Sequence, residues 1–280
     1  MQARALAIRE KVLGREHLDT AQALGDLGMS YWALGQPDKA LPLQMRALAI
    51  YEKSAGQESL KALARQSLAT TYSALGNYDK ALALQIQSLE FLDKVFGKEA
   101  PNTLAALNEL ALTYTRLAQP NQALQVLLRA LKITEKLFGP AHPDVALSLN
   151  NIADTYSTLA QYDKALTLQT RALAIVEKTT GPGHPDTARA LTNLARTYSM
   201  LSQHDKALPL QVRVVAIFEK NFGAEDGDTV FEVERLALTY SALGQYKEAL
   251  ILQTQVLEFI EKKFEDENPH KARETLHNSP

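Results

Sequence analysis

Apolar positions recur along this chain with a helical period, and glycine or proline interrupts the pattern at regular intervals. Val145, Leu149, Ile152, Ala153, Tyr156 and Leu159 form one stripe. Ala165, Leu168, Ala172, Ile175 and Val176 form a second, just beyond a short break. Two amphipathic helices, A and B, are therefore predicted to face each other as an antiparallel pair. Small residues at Ala153 and Ala165 would let them approach closely, so replacing Ala165 with Leu is expected to overpack the pair.

The pair is not unique. The stretch from Tyr156 to Gly181 recurs throughout, with its first tyrosine matched at Tyr31, Tyr72, Tyr114, Tyr198 and Tyr240, a spacing of 41 once and 42 four times. A fixed period of this length predicts a solenoid of stacked helix pairs. Each pair still leaves apolar surface uncovered, so one unit alone is not expected to fold.

The helix ends are written in the sequence. A Glu-Lys or Asp-Lys pair at 52/53, 93/94, 135/136, 177/178, 219/220 and 261/262 closes each B helix, followed in five copies by Gly56, Gly97, Gly139, Gly181 or Gly223. A cation there suits the negative end of the helix dipole, and the glycine is expected to take a left-handed cap conformation. Helix A starts are predicted at H-L-D-T from 17, A-P-N-T from 100, H-P-D-V from 142, H-P-D-T from 184 and D-G-D-T from 226. The second copy is one residue shorter around Gly56, which predicts a tighter loop.

These signals divide 1–280 into a single array. The expected parts are a B helix of a truncated repeat (1–14), repeats at 17–56, 57–97, 98–139, 140–181, 182–223 and 224–265, and the start of a truncated repeat (266–280). Neither end shows a polar capping repeat, so the chain reads as a fragment of something longer with apolar surface at both terminal helices.

Composition narrows the function. With 30 Lys and Arg against 32 Asp and Glu, the formal net charge is -2, so no basic field for nucleic acid exists. Cysteine is absent, which excludes disulfides and thiol chemistry and fits a reducing compartment; a cytoplasmic location is the expectation. No apolar run is long enough to span a membrane, and no membrane partner is expected. No cofactor motif, metal-ligand pattern, nucleophile elbow or phosphate loop occurs, and an enzyme is not expected. His142 and His184 each precede Pro-Asp, but as equivalent loop positions they form no cluster.

Leu149, Ile152, Ala153, Tyr156, Ala165 and Ala172, with glycine in the A to B turn at Gly35, Gly76 and Gly244, make the chain resemble the tetratricopeptide repeat family. The remaining copies place Ala118, Ala160 or Ser202 in that turn. The 42-residue period and the R-A-L-A-I-x-E-K pattern resemble the longer, kinesin-light-chain-like subtype. That resemblance implies an all-α, right-handed superhelical solenoid whose concave groove, lined by A helices, receives a peptide or protein segment, as a non-enzymatic interaction module within a larger regulatory or scaffold protein. Carried over position by position, it implies a binding face of Asn108, Glu109, Arg116, Asn150, Asn151, Asp154, Asn193, Arg196 and Arg235. Asparagine suits such a face because its amide both donates to and accepts from a peptide backbone. A solvated polar helix face is the plainer reading. The groove polarity is mixed, since Glu109, Asp154 and Glu234 sit among the arginines. The first two copies depart, with Gly25 and Asp26, then Gln66 and Ser67, so the site is expected to centre on copies three to five. The alternative is end-to-end self-association through uncapped terminal helices.

Two further ladders read as structural. Gln44, Gln85, Gln169, Gln211 and Gln253 hold one B-helix position, with Leu127 the exception, and are expected to link neighbouring repeats by amide hydrogen bonds, direct or through water. Ser30, Thr71, Thr113, Thr155, Thr197 and Thr239 precede the anchor tyrosines, where the hydroxyl can bond back to the preceding turn. Arg46, Arg129, Arg171 and Arg213 are expected to be exposed and salt-bridging.

Overall fold

A computed structural model describes residues 1–267 as an all-helical chain. The predicted start of a further repeat lies largely outside the described residues. The chain divides into two compact units, Met1–Pro140 and Ala141–Pro280.

Unit 1 holds α1 (Gln2–Leu13), α2 (Leu18–Ala33), α3 (Pro37–Lys53), α4 (Glu58–Ala74), α5 (Tyr78–Phe96), α6 (Leu104–Arg116) and α7 (Pro120–Phe138). It pairs α2 with α3, α4 with α5 and α6 with α7, and packs each pair on the preceding B helix. Its cores show why one pair is insufficient. Leu107 and Leu110 of α6 and Ile133 of α7 bury against Leu89 of α5, and Leu24, Ile50 and Tyr51 close over Leu6 of α1. Each large apolar side chain so buried contributes on the order of 1.5 to 3 kcal/mol.

Unit 2 repeats the plan with α8 (Pro143–Thr158), α9 (Tyr162–Thr180), α10 (Pro185–Met200), α11 (His204–Phe222), α12 (Gly227–Ala242) and α13 (Tyr246–Glu267). Leu191, Val214 and Ile217 pack with Leu173 of α9, and Val233 and Leu236 pack with Val215 of α11. The small-residue contact holds in both units. Ala40, Ala81, Ala123, Ala165, Ala207 and Ala249 are all at most 2% exposed, leaving no room for a longer side chain.

The A to B turns share one device. Where α8 ends, Gln161 N–H donates to Tyr156 C=O at 2.8 Å and Ala160 N–H to Ser157 C=O at 3.0 Å, a Schellman closure that satisfies the last helical carbonyls. The residue between must have positive φ, and it does at 53° to 57° for Ala118, Ala160 and Ser202 as well as 68° to 73° for Gly35, Gly76 and Gly244.

The B to A junctions differ from expectation. Gly97, Gly139, Gly181 and Gly223 have φ of 85° to 97° with ψ of 156° to 160°, an extended conformation open essentially to glycine alone rather than the left-handed helical one. The shorter second copy does not tighten its loop either. Four residues still separate α3 from α4; α3 stops at Lys53, earlier than its counterparts, and absorbs the deletion.

Helix A starts are capped by a group that the cap preferences did not single out. His17, His142 and His184 accept the N–H of Asp19, Asp144 and Asp186 on Nδ1 at 3.1, 3.2 and 3.1 Å, while Asp226 serves the same end with Oδ1. Ala100 offers no such acceptor, and the third copy opens with a 3-10 turn at Pro101–Thr103 instead. The hydroxyl ladder bonds back as expected from Ser30, Thr113, Thr155, Thr197 and Thr239, but not from Thr71, whose Oγ1 is buried without a partner. Lys39, Lys80, Lys164 and Lys206 each lie over the ring of their own copy's anchor tyrosine, 5.2 to 5.7 Å from its centre.

Along the B helices, Arg46 reaches back to Glu10, Arg129 to Asp93 and Arg213 to Glu177, each tying a B helix to the previous one. These arginines are salt-bridging, as expected, but Arg46 and Arg129 are largely covered rather than exposed.

Candidate functional site

In unit 1, α6 presents Asn108 to solvent and holds Glu109 half-buried. Glu109 and the exposed Arg116 line one cavity of about 220 Å³ with Ser73 of α4 and Gln85 of α5. Burial pushes the Glu109 carboxyl above the usual range, and a hydrogen bond with the Gln66 side chain opposes that shift only in part. Of the side-chain oxygens on its lining residues, Gln85 Oε1 and Ser73 Oγ are buried without a partner.

In unit 2, α8 and α10 carry the rest of the predicted face. Asp154 and Arg196, one repeat apart, form an ion pair at 2.6 Å. Burial pushes the Asp154 carboxyl up, with Arg196 pulling the other way. Asn150 is half-buried and lines a cavity of about 200 Å³ with Leu147, Val176, Asp186 and Arg189. Its Oδ1 has no hydrogen-bond partner, and neither has Thr192 Oγ1, at the equivalent place on α10. Asn151 is exposed and Asn193 half-buried, and the carbonyls of both receive the ladder hydroxyls of Thr155 and Thr197.

Arg235 is not brought to the others. It pairs with Glu232 on its own helix at 3.3 Å and lies over the Phe231 ring at 5.9 Å. Glu232 is 8% exposed, and burial raises its carboxyl despite Arg235. No signal in the repeat pattern marks Glu232, because its equivalents Ala106, Ser148 and Ala190 give no hint of a buried carboxylate.

The glutamine ladder does not form the expected direct links. The amide oxygens of Gln44, Gln85, Gln169 and Gln211 are buried without partners, and Gln253 is exposed. Among the described residues, no group of three or more His, Asp or Glu side chains could hold a metal ion, and no helix is long and apolar enough to cross a membrane.

Helix pairs repeated at a 42-residue period, packed within each unit on the preceding B helix, define an α-helical repeat protein. Tetratricopeptide repeat models match residues 1–53, 60–136, 121–178 and 144–220, and a second such model matches 234–270. The chain belongs to the tetratricopeptide repeat family, and its repeats are of the kinesin-light-chain-like kind. Among solved structures it is similar to a kinesin-light-chain-type protein with nearly identical TPR-like repeats from Podosopora anserina, at 29% identity over 75% of this chain and 99% of that one, with a TM-score of 0.64. BtubC from P. vanneervenii shares the fold at 22% identity, covering 77% and 86% of the two chains, with a TM-score of 0.61. YrrB, a TPR protein with an unusual peptide-binding site, shares it at 19% identity over 79% and 95%, with a TM-score of 0.54. No curated protein matches the chain.

Proposed function

We propose that this chain is a non-enzymatic interaction module that holds a peptide or protein segment against its A helices. Tetratricopeptide repeat proteins mediate protein–protein interaction, which sets the class. The observation that carries the finer reading is the pair of unsatisfied polar atoms at equivalent places of successive repeats, Asn150 Oδ1 and Thr192 Oγ1. A buried acceptor without a donor costs about 1 to 3 kcal/mol, and a peptide N–H arriving there removes that cost. Leu147 beside Asn150 is 60% exposed, an apolar contact for the same ligand. Arg196 is engaged by Asp154, so an anionic ligand has to displace that carboxylate, and we infer a preference for uncharged backbone over acidic side chains at this point.

The test is capture from a source lysate by the unaltered chain and by Asn150→Ala/Asn151→Ala/Asn193→Ala, both shown folded by circular dichroism. A protein held by the first and lost by the second supports the reading; capture unchanged by the triple substitution overturns it. Self-association is the second reading. It is favoured by Leu250, Leu257 and Ile260 on α13 and Val12 on α1, each more than half exposed, and light scattering that stays monomeric at high concentration removes it.

A further inference from the structure

The B-helix arginines show, inside this chain, what a guanidinium receptor is made of. Arg129 donates from both terminal nitrogens to Asp93 on the preceding B helix, at 3.0 Å from Nη1, and from Nε to the Lys98 carbonyl at 2.8 Å. Arg46 repeats the arrangement, donating to Glu10 and, at 2.9 Å, to the Arg15 carbonyl. Each receptor is a carboxylate near the end of one B helix and a carbonyl from the loop after it. That pair matches the rigid fork of a guanidinium better than the point charge of an ammonium.

Unit 2 keeps such a receptor without its guanidinium. Glu219 of α11 stands at the place of Glu10 and Asp93, Ala224 at the place of Arg15 and Lys98, and Gln255 of α13 where the others have Arg46, Arg129 and Arg213. All three line a cavity of about 400 Å³ between α11, α12 and α13. Glu219 is exposed, so a ligand can reach it, and it makes no ion pair among the described residues. The other departure, Gln87, leaves no such opening, because Arg65 of α4 takes the waiting Glu52 at 3.3 Å; Val233 holds that place on α12. Lys262 also lines the cavity, but it is paired with Glu225 at 2.6 Å. Lys53 is paired with Glu16 in the same way beside the filled receptor of Arg46, so a lysine here coexists with a guanidinium.

Two further features fit a cation on an apolar stem. Glu258, exposed on the cavity wall, adds a carboxylate where Ala49, Ala174 and Ala216 stand in other copies. Val230, Val233, Val256 and Phe259 give the cavity an apolar side, along which a methylene chain can lie.

We propose that unit 2 binds an alkylguanidinium group in this cavity, forked onto Glu219 in place of the missing internal arginine, at a seam of B helices separate from the A-helix face. Free arginine and an arginine residue of another chain share this chemistry. The full chain labelled with carbon-13 at its valine methyl groups is titrated with N-acetyl-arginine amide; the signals of Val230, Val233 and Val256 are expected to shift and saturate while that of Val12 stays fixed. N-acetyl-citrulline amide, of the same length but uncharged, is expected to bind at least roughly tenfold more weakly, the worth of charge-assisted hydrogen bonds. N-acetyl-lysine amide, with the charge but no fork, should fall between the two. Gln255→Arg, which supplies the guanidinium from within, is expected to abolish the shifts, and Glu219→Gln to weaken binding about tenfold. Motionless valine signals, equal affinity for the arginine and citrulline compounds, or binding unchanged in Gln255→Arg overturns the proposal. The comparison of ligands on the unaltered chain decides the matter even if a variant fails to fold. Free arginine, run alongside, separates the sources: affinity equal to that of the amide supports the free amino acid, and weaker binding supports an arginine within a chain. None of these readings depends on the lysate capture, so either proposal can fail alone.

Discussion

The two kinds of junction in each repeat both demand positive φ, yet they differ in how much sequence they tolerate. The A to B turn accepts Gly35, Gly76 and Gly244 but also Ala118, Ala160 and Ser202, whereas the extended B to A junction is glycine at 97, 139, 181 and 223. The cause is ψ. Near φ 55° an L residue reaches the left-handed helical well at about 1 to 2 kcal/mol, and the two Schellman bonds can hold it there. Near φ 90° and ψ 158° the Cβ has no well to occupy. Positive φ alone is thus a poor guide to where glycine is required.

Substitutions can break that contrast, starting with the largest effect. Gly181→Ala meets no neighbouring atom, so its cost is purely conformational and is expected at about 2 to 3 kcal/mol in urea denaturation of the full chain. Gly76→Ala, in the tolerant turn, should cost about 1 kcal/mol; equal losses at the two sites would remove the distinction. His184→Ala, which strips the cap just beyond the B to A junction, is expected to cost about 1 kcal/mol, while His184→Asp should be near neutral, since Asp226 already does this work one repeat later. Ala160→Gly runs the other way, with an expected gain of about 0.5 kcal/mol, the relief of the turn less the added freedom of the unfolded chain.

The smallest expected effect lies off the junctions, at Glu109. Its carboxyl is held above the unfolded value by burial, so the protonated form favours the fold and that contribution is lost as pH rises through the folded value. Glu109→Gln should therefore stabilise slightly at neutral pH, with the gain vanishing below the normal carboxylate range. A gain independent of pH would place its origin elsewhere.

Periodicity made the helix pairs, their partners and the buried alanines legible, because one residue type recurring at one position can only be a shared environment. The capping histidines were less so: their position was visible, but that imidazole Nδ1 would replace the usual oxygen acceptor needed the backbone geometry of the loop. Lysines over the anchor tyrosines were hidden for a similar reason, being brought together only by the turn. Asp154 and Arg196 could be placed on one face from the sequence, but not their mutual neutralisation, which depends on the spacing of α8 and α10.

One omission in the B-helix arginine ladder bears on how the molecule opens. Gln87 stands where Arg46, Arg129 and Arg213 reach back to the preceding helix, and Glu52, its would-be partner, turns instead to Arg65 of α4. No guanidinium rivet therefore joins α5 to α3 at this place. In a stack held by nearest neighbours, the weakest interface sets where thermal opening begins. Hydrogen exchange should find amide protection dipping at the α3–α5 seam and recovering in Gln87→Arg, so that one glutamine gives unit 1 a fracture line between rivets on either side.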